Sequence, residues 1–366
     1  MAPGEPKVKR ESLPLLDLLV IDNPVWELTI LVDVLPSPEE VTPQRREEWK
    51  ARAIRWVEAG GGSAANTAVF VAALGRQVGL IGQTGDDEFG MKARQELITS
   101  GLYCVLPQLS ERTTKQSVIV KQVGTDRGFF RAWVPERVAT PIRTNDIDDN
   151  LWSQARLIHL DRVSEVGFDK VMGGAGPAVS LDLHTCPGRT VVLERLEQLI
   201  PRLSVMQISE AAALRLGELY GLAGGLVEVA THLGRRIPWL VVTRGAQGAL
   251  ASEHGRMWEV EAWPTPVVDS TGAGDTFCAC ILDSWLAGQS LEEACPRAAL
   301  AGALQCQYLG ARGFKPSQQV LESLLGSGRF RYNEAAMWSG GADAGTGSGG
   351  DDPGIGECPY RGEAEG

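Results

Sequence analysis

The sequence predicts an α/β fold with a central, mostly parallel β-sheet, helices on both faces and a small β-sheet lid. Short apolar runs of strand length alternate with helical patterns along most of the 366 residues. The apolar runs are continuous, which is typical of parallel strands covered on both faces. Two further stretches alternate polar and apolar residues and interrupt this rhythm, which predicts a second, partly exposed β-layer.

Six continuous apolar runs are predicted to be buried strands: 15–21, 77–82, 155–160, 178–183, 204–208 and 238–243. Six segments have helical patterns: 64–75, 90–101, 191–200, 210–221, 226–234 and 277–288. In the first of these helices, Val69, Ala72 and Ala73 recur at spacings of three and four, which is the apolar stripe of a helix. This alternation favours one large domain over two separate ones.

The lid is expected from about residues 27–59 and 113–134, where β-branched and aromatic residues are frequent. Ligands of open α/β sheets bind beyond the carboxyl ends of the strands, where such a layer would cover them. Phe129 and Trp133 in the second stretch are candidates for either a homodimer contact or ordinary packing.

The two ends of the chain differ from the rest in composition. Residues 1–12 are polar and contain proline, and residues 339–366 are rich in glycine and acidic residues. Segments with so few apolar residues cannot bury enough surface to fold alone, so we expect the first segment to be a flexible arm and the second a disordered tail. The folded domain is expected over residues 13–335.

Composition excludes several classes of partner. The net charge is -11 and no cluster of lysine and arginine forms a stripe, so neither nucleic acid nor an anionic membrane is an expected partner. The sequence contains no apolar window of about 18 residues and no signal-type leader, so we expect no membrane span and no secretion. The seven cysteines are scattered, without a Cys-x-x-Cys pair, which favours reduced thiols in a cytoplasmic protein.

The stretch VVDSTGAGDTF, residues 267–277, carries the clearest chemical signal. Its first two residues, Val267 and Val268, resemble the end of a strand, and a helical pattern begins at Phe277, so the glycines lie where a helix begins. Gly272 and Gly274 allow successive N–H groups to point into one concavity, and the helix N-terminus favours negative charge. Asp275 beside such an anion site is suited to accept a proton from a hydroxyl during phosphoryl transfer. The alternative is that Asp275 only caps the helix.

The stretch DSTGAGDTF resembles the C-terminal signature of the ribokinase-like (PfkB) family of sugar and nucleoside kinases. Residues 60–90, GGGSAANTAVFVAALG followed by IGQTGDDEFG, are similar to the N-terminal motif of that family. VVTRGAQGAL, residues 241–250, resembles the strand and turn that meet the nucleotide, and GALQCQYLGARG resembles the helix that closes the adenine site. The order of these motifs agrees with the family over about residues 15–325.

The resemblance implies a role for each matched residue. Asp275 would be the general base, and Gly272, Ala273 and Gly274 would supply the anion hole. The phosphates and ribose of ATP would meet Thr243, Gly245 and Gly248, although the two glycines also suit a plain hairpin turn. The acceptor would meet Glu27, Gly61, Gly62 and Asn66, and Asn66 alternatively makes a hydrogen bond at a helix start.

The resemblance also implies cofactors. ATP and Mg²⁺ are expected, and Asp269 with the carbonyl of Thr271 resembles the monovalent-cation site of part of the family. K⁺ is therefore a third candidate, with a structural turn as the alternative. A homodimer formed through the lid is a candidate assembly.

Three positions depart from the family pattern. Asp22 stands where the first strand usually has glycine, and Glu27 stands for the usual aspartate, so the depth of the acceptor pocket should differ. Ser209 and Ala212 replace the Asn-x-x-Glu that organises magnesium waters, leaving Glu210 as the nearest acid. Arg244 either reaches a phosphate or faces solvent, and we favour solvent.

Two functions follow as hypotheses. The first is an ATP-dependent kinase that phosphorylates a hydroxyl of a small sugar or nucleoside. The second is a catalytically weakened relative that binds a nucleotide or sugar as a regulatory module. The complete GAGD turn favours the kinase, because a binding module has no need of the base.

Overall fold

The structure is a computed structural model that describes residues 15–35, 51–122, 128–133, 147, 149–163, 165–185 and 190–326. The expected arm at 1–12 and the expected tail at 339–366 lie outside these residues and stay predictions.

The described chain contains strands and helices in the alternating order that the sequence predicts. The strands are β1 (Leu16–Ile21), β2 (Val25–Val32), β3 (Ala53–Gly61), β4 (Val78–Ile81), β5 (Thr84–Gly85), β6 (Tyr103–Val105), β7 (Gln108–Leu109), β8 (Lys115–Gln122), β9 (Gly128–Trp133), β10 (Ala155–Leu160), β11 (Ala178–Leu183), β12 (Leu203–Ser209), β13 (Trp239–Thr243), β14 (Ala249–Glu253) and β15 (Arg256–Val260). The helices are α1 (Ser63–Ala73), α2 (Glu88–Thr99), α3 (Asp149–Ser153), α4 (Glu165–Met172), α5 (Thr190–Leu199), α6 (Glu210–Tyr220), α7 (Gly225–Gly234), α8 (Ala273–Ala287), α9 (Leu291–Gln305) and α10 (Gln318–Gly326).

A nine-stranded sheet forms the centre of the molecule, in the order β15-β14-β13-β12-β11-β10-β1-β4-β6. The pairs from β6 to β13 are parallel, and the pairs β13–β14 and β14–β15 are antiparallel, so β14 alone runs opposite to the other strands of this sheet. Adjacent residues of β1 enter opposite cores because side chains alternate along a strand. Leu18 packs in the core with α1, α8 and α9, whereas Leu19 packs in the core with α5, α6 and α7.

A separate four-stranded sheet has the order β3-β2-β8-β9. β2 runs antiparallel to β3 and parallel to β8, and β9 returns antiparallel to β8. One face of β2 is buried and carries the polar residues Glu27 and Thr29. Polar side chains on a buried strand face point to a binding function, because a packing face would be apolar.

The predicted α/β architecture is confirmed, including the small sheet, and all six predicted strands and all six predicted helices are present. The helices α3, α4 and α10, most of α9 and the strands β5, β6, β7, β14 and β15 were not predicted. The prediction that a strand ends at Val267 and Val268 is wrong. β15 already ends at Val260, and the N–H groups of Val268 and Asp269 donate to the carbonyl of Cys306 at 2.8 and 3.1 Å.

No helix within the described residues is long and apolar enough to cross a membrane. The five described cysteines are free thiols, and Cys278, Cys280 and Cys295 are buried. Burial raises the pKa of Cys280 to about 12, so this thiol behaves as a small apolar side chain.

Candidate active site

Two cavities lie on either side of the turn at the start of α8. The first cavity has a volume of about 650 Å³, and Thr271 and Asp275 line it. The second has a volume of about 720 Å³, and Ala273 and Gly274 line it. One turn thus contributes its carboxylate to one cavity and its backbone to the other.

The two positions of this turn that carry glycine differ in whether the protein itself requires glycine there. Gly272 has a φ of 81°, and a Cβ added there would lie 2.1 Å from the carbonyl oxygen of Ala311. Both the backbone conformation and the close approach therefore require glycine. A Cβ on Gly274 would meet nothing within 4 Å. The protein itself does not require glycine at 274, so the open space is available to a ligand in the second cavity.

The first turn of α8 presents N–H groups without acceptors in the described structure. The N–H of Ala273 donates to the carbonyl of Ser270 at 3.2 Å, and that of Thr276 donates to Gly272 at 2.9 Å. The N–H groups of Gly274 and Asp275 have no such backbone acceptor, as is usual at a helix start. Together with the positive end of the helix dipole, they suit an anion.

Asp275 is held from two sides by residues of α1. Ser63 Oγ donates to Asp275 Oδ1 at 2.6 Å, and Asn66 Nδ2 donates to Asp275 Oδ2 at 2.7 Å. Asp275 as a whole is 8% exposed, and it lines the first cavity. Each oxygen keeps a free lone pair, so the group can still accept a proton from a ligand. Ser63 follows the glycines of the N-terminal motif, but sequence reasoning did not assign it to the site.

Arg312 fixes the other end of the Asn66 amide. Its Nε donates to Asn66 Oδ1 at 2.7 Å, and its Nη1 donates to Glu96 Oε1 at 3.0 Å. Glu96 also accepts from the N–H of Gly60 at 2.6 Å. Because Arg312 offers only donors, the amide oxygen of Asn66 must face it and the NH₂ must face Asp275. Sequence reasoning missed Arg312 and Glu96, since both lie in segments with other assignments.

The first cavity is lined by residues at the carboxyl ends of three neighbouring strands. Asp22 follows β1, Asp161 follows β10 and His184 follows β11. The small sheet adds Glu27 from β2 and Ser117 from β8, and Ser117 Oγ donates to Glu27 Oε1 at 2.9 Å. The predicted acceptor residues Glu27, Gly62 and Asn66 thus meet in one cavity.

Gly61 contributes by its lack of a side chain. A Cβ at this position would lie 2.1 Å from Cδ of Glu27, so glycine permits the Glu27 side chain to pass. Its carbonyl accepts a hydrogen bond from Arg312 Nη2 at 3.3 Å. Gly62 has a φ of 92°, which favours glycine at the turn before α1.

Several carboxyl groups around the first cavity have shifted pKa values. Burial, with a contribution from Asp161, raises the pKa of Asp22 to about 7. Burial also raises the pKa of Glu27. Asp22 Oδ2 and Glu27 Oε2 are buried oxygens that have no hydrogen-bond partner within the described residues. Such acceptors match the hydroxyl donors of a bound ligand.

Asp182 and His184 form a pair beside Asp275. His184 Nδ1 lies 3.4 Å from Asp182 Oδ1, and ligand atoms of the two residues and of Asp275 all lie within 4.8 Å of one another. Burial raises the pKa of Asp182 to about 7. Burial alone would lower the pKa of His184, but the neighbouring carboxylates, Asp182 first, raise it above its usual value. Both groups therefore hold a proton more readily than they would in water.

The second cavity contains the residues predicted to meet ATP. Thr243 ends β13, and Gly245 and Gly248 form the turn into β14. Gly245 has a φ of 57° and Gly248 a φ of 79°. A Cβ on Gly248 would lie 1.9 Å from the carbonyl oxygen of Val260. The rest of the wall is mostly apolar: Val260, Phe277, Ala299, Ala303 and Cys306 line it.

Arg244 does not face solvent, so that prediction is wrong. Its side chain is 16% exposed, and its Nη1 lies 3.4 Å from Glu259 Oε1 on β15. The antiparallel pairing of β13, β14 and β15 brings these two residues together. β15 was not among the predicted strands, so Glu259 was not identified as the partner of Arg244.

Ser209 and Ala212 have structural roles at the start of α6. Ser209 Oγ accepts from the N–H of Ala212 at 3.2 Å and donates to the carbonyl of His184 at 2.8 Å. Ala212 is buried in the core that contains α5, α6 and α7. Neither residue fits a magnesium-binding role.

The predicted cation ligands Asp269 and Thr271 already have protein donors. Asp269 Oδ1 accepts from the N–H and the hydroxyl of Thr271, at 3.0 and 2.7 Å. Asp269 Oδ2 accepts from the N–H of Gly310 at 2.9 Å. The carbonyl of Thr271 accepts from Gln305 Nε2 at 3.0 Å.

The fold is that of a ribokinase-like α/β protein. It combines a large, mostly parallel sheet, a small separate sheet and a glycine turn between two cavities. Solved structures support this fold. An adenosine kinase from Sinorhizobium meliloti superposes with a TM-score of 0.68 at 21% identity, over 86% of this chain and 100% of that one. A ribokinase II-type protein from Escherichia coli, solved with ATP and Mg²⁺, superposes with a TM-score of 0.70 at 18% identity, over 86% and 100%.

The sequence profile of the pfkB family carbohydrate kinase matches residues 22–318, and the chain therefore belongs to this family of kinases. An ATP-dependent ribose-1-phosphate kinase from Halopiger xanaduensis is 27% identical over 83% of this chain and 96% of its own length. A fructokinase from Salmonella typhimurium is 27% identical over 81% and 97%. These two relatives are named as a kinase of a sugar phosphate and a kinase of a sugar.

Proposed function

We propose that this kinase transfers the γ-phosphoryl group of ATP to a hydroxyl of a small sugar or nucleoside, with Asp275 as the general base. The observation that carries this proposal is the position of the turn at the start of α8. It contributes the Asp275 carboxylate to the first cavity and the Gly274 backbone to the second. A phosphoryl group that passes from one cavity to the other must cross this turn.

In the proposed reaction the acceptor hydroxyl lies in the first cavity beside Asp275. Its oxygen attacks the γ-phosphorus while its proton moves to a carboxylate oxygen of Asp275. The bond from the γ-phosphorus to the bridging oxygen breaks, and ADP leaves with that oxygen. The N–H groups of Gly274 and Asp275 stabilise the charge on the transferring group, with Gly272 and Ala273 shaping the anion hole around it.

Glu27 and Asp22 are proposed to bind hydroxyl groups of the acceptor. Each has one buried oxygen without a hydrogen-bond partner in the described chain, and both line the first cavity. A ligand with adjacent hydroxyls would satisfy both oxygens, whereas an apolar ligand would leave them unpaired at a cost of about 1–3 kcal/mol each. Gly61 and Gly62 provide the space, and Asn66 orients the base.

ATP is proposed to occupy the second cavity, with its base against the apolar wall and its phosphates toward Gly274. Thr243, Gly245 and Gly248 would lie along the ribose and phosphates. Because Ser209 and Ala212 do not fit a magnesium-binding role, Mg²⁺ bound with ATP would take its ligands mainly from phosphate oxygens and water. K⁺ has no open position at Asp269 and Thr271, since Asp269 Oδ1 already accepts two hydrogen bonds and the Gln305 amide lies against the carbonyl of Thr271.

The small sheet is proposed to act as the lid of a domain that spans about residues 13–335. The homodimer through the lid stays a prediction, as does the cytoplasmic location. Ile54 and Trp56 on β3 are exposed apolar side chains that suit such a contact. The side chains of Phe129 and Trp133 lie outside what the structure describes.

The direct test is turnover of ATP with a panel of sugars, sugar phosphates and nucleosides, detected as ADP release and as a phosphorylated product. Acceptor-dependent turnover is the expected result. Nucleotide binding without turnover on any acceptor would instead support the regulatory module.

A further inference from the structure

The carbonyl oxygens of Thr271 and Gly310 converge on one amide group. Gln305 Nε2 donates to the carbonyl of Thr271 at 3.0 Å and to that of Gly310 at 2.8 Å. Gln305 Oε1 accepts from the N–H of Phe314 at 2.9 Å. Gln305 is fully buried, and these three bonds fix the orientation of its amide, because a flipped amide would place oxygen against two carbonyl oxygens.

A charged group completes this arrangement. Lys121 Nζ, on β8 of the small sheet, lies 3.7 Å from Asp269 Oδ1. Asp269 is 1% exposed, and hydrogen bonds together with a nearby positive charge stabilise a carboxylate in so buried a position. A monovalent cation could supply both the bridge between carbonyls and the charge. Here the chain supplies the bridge with Gln305 and the charge with Lys121.

We propose that Gln305 and Lys121 replace the monovalent cation, so that this kinase works without K⁺. Gln305 is then a positioning residue that holds the carbonyl of Thr271, immediately before the anion hole. The inference rests on the proposed function, because the anion hole is part of that proposal. It concerns a different region of the turn from the one that holds Asp275.

The consequence for ion dependence is specific. In the parent protein the Gln305 amide occupies the position between the two carbonyl oxygens, so K⁺ has no vacant site to enter. The variant Gln305→Ala removes the amide and leaves carbonyl oxygens that a K⁺ ion can bridge, because carbonyl oxygens bind hard cations. Choline is too large and has no comparable affinity, so it serves as the ion that maintains ionic strength.

The experiment measures turnover and melting temperature in KCl and in choline chloride at equal ionic strength. The parent should show the same turnover and the same melting temperature in both salts. Gln305→Ala should lose turnover in choline chloride, by up to about 100-fold if the turn shifts by an ångström. KCl should restore part of the turnover and raise the melting temperature of this variant.

The matched control is Gln318→Ala. Gln318 is a half-buried glutamine whose Nε2 donates to the carbonyl of Leu74 and to Asp283, outside both cavities. This variant should lose some stability in both salts and should gain no response to K⁺. If Gln305→Ala does not fold, Lys121→Met tests the charge. This variant vacates the position of the ammonium group beside Asp269, which K⁺ can enter with Gln305 still in place, so KCl should raise its melting temperature.

A saturable increase by K⁺ in the turnover or melting temperature of the parent would overturn the proposal. A Gln305→Ala variant with full turnover and no K⁺ response would also overturn it. The melting temperatures are measured without an acceptor. If no acceptor supports turnover, the proposed kinase function is contradicted, but the melting temperatures still test this ion site.

Discussion

Asn66 Nδ2 lies 2.7 Å from Asp275 Oδ2, and Arg312 Nε lies 2.7 Å from the oxygen of the same amide. The three residues come from α1, α8 and the segment after α9. An asparagine amide can turn over by 180°, and only its NH₂ group can donate to a carboxylate. The guanidinium of Arg312 therefore selects the Asn66 orientation that holds Asp275.

Arg312→Lys should lower kcat and leave the KM for ATP unchanged. Lysine retains the positive charge beside Glu96 but has no donor at the position of Nε, so the Asn66 amide loses its fixed orientation. We expect kcat to fall by about 10- to 100-fold, the scale of a small misplacement of a catalytic group. Steady-state kinetics and thermal unfolding of the same preparation measure both effects.

Arg297→Lys is the matched control for this variant. Arg297 is also buried in an ion pair, with Nη1 2.6 Å from Asp283 Oδ2, and it lines neither cavity. It should lose stability comparably while kcat stays near that of the parent. In an Asn66→Ala background, Arg312→Lys should lower kcat no further. Equal effects of Arg312→Lys with and without Asn66 would refute a role that acts through Asn66.

Gly274→Val should reduce ATP affinity and turnover without reducing stability. Nothing lies within 4 Å of a Cβ at this position, and valine is a better helix former than glycine. The new side chain projects where the second cavity meets the turn, so it should block the approach of phosphates, lowering kcat by about 10²- to 10³-fold. Gly326→Val, also in open space but away from both cavities, is the control. Normal ATP binding by Gly274→Val would contradict the assignment of the second cavity.

Glu27→Gln should raise the KM for the acceptor by about 10-fold or more, since a hydrogen bond to a charged group contributes about 1.5–3 kcal/mol. The amide has the size of the carboxylate and keeps one acceptor oxygen, so the cavity should retain its shape. The KM for ATP serves as the internal control and should not change. An unchanged KM for the acceptor would place the acceptor away from Glu27.

Asp182→Asn should make stability less dependent on pH between about 4 and 7. In the folded protein burial raises the pKa of Asp182 from 3.8 to about 7. Between these values the folded state binds more protons than the unfolded state, so stability falls as pH rises. Removing this carboxyl should reduce the slope by at most about 1.4 kcal/mol per pH unit. Urea unfolding at several pH values measures it, and parallel curves for parent and variant would contradict the assignment.

Six strands of the large sheet and six helices were predictable because continuous apolar runs and helical stripes indicate burial. The residues of the GAGD turn were also predictable, since a ligand constrains them locally. Gln305, Arg312 and Glu96 were not predictable from local pattern. Arg312 and Glu96 are 216 residues apart, and Gln305 meets Thr271 34 residues away, so these contacts arise only from the packing of distant segments. Arg244 was misassigned for the same reason, because its partner lies on a strand that the sequence did not reveal.

The turnover of Asp275→Asn tests the central claim most directly. Asparagine has nearly the same shape as aspartate and can keep hydrogen bonds to Ser63 and Asn66, but it cannot accept the proton of the acceptor. We expect turnover to fall by about 10²- to 10⁴-fold, the usual contribution of a general base. ATP affinity should stay the same or tighten slightly, because a negative charge near the phosphates is removed. A fully active Asp275→Asn would show that this carboxylate is only a residue at a helix start, and the proposed mechanism would be wrong.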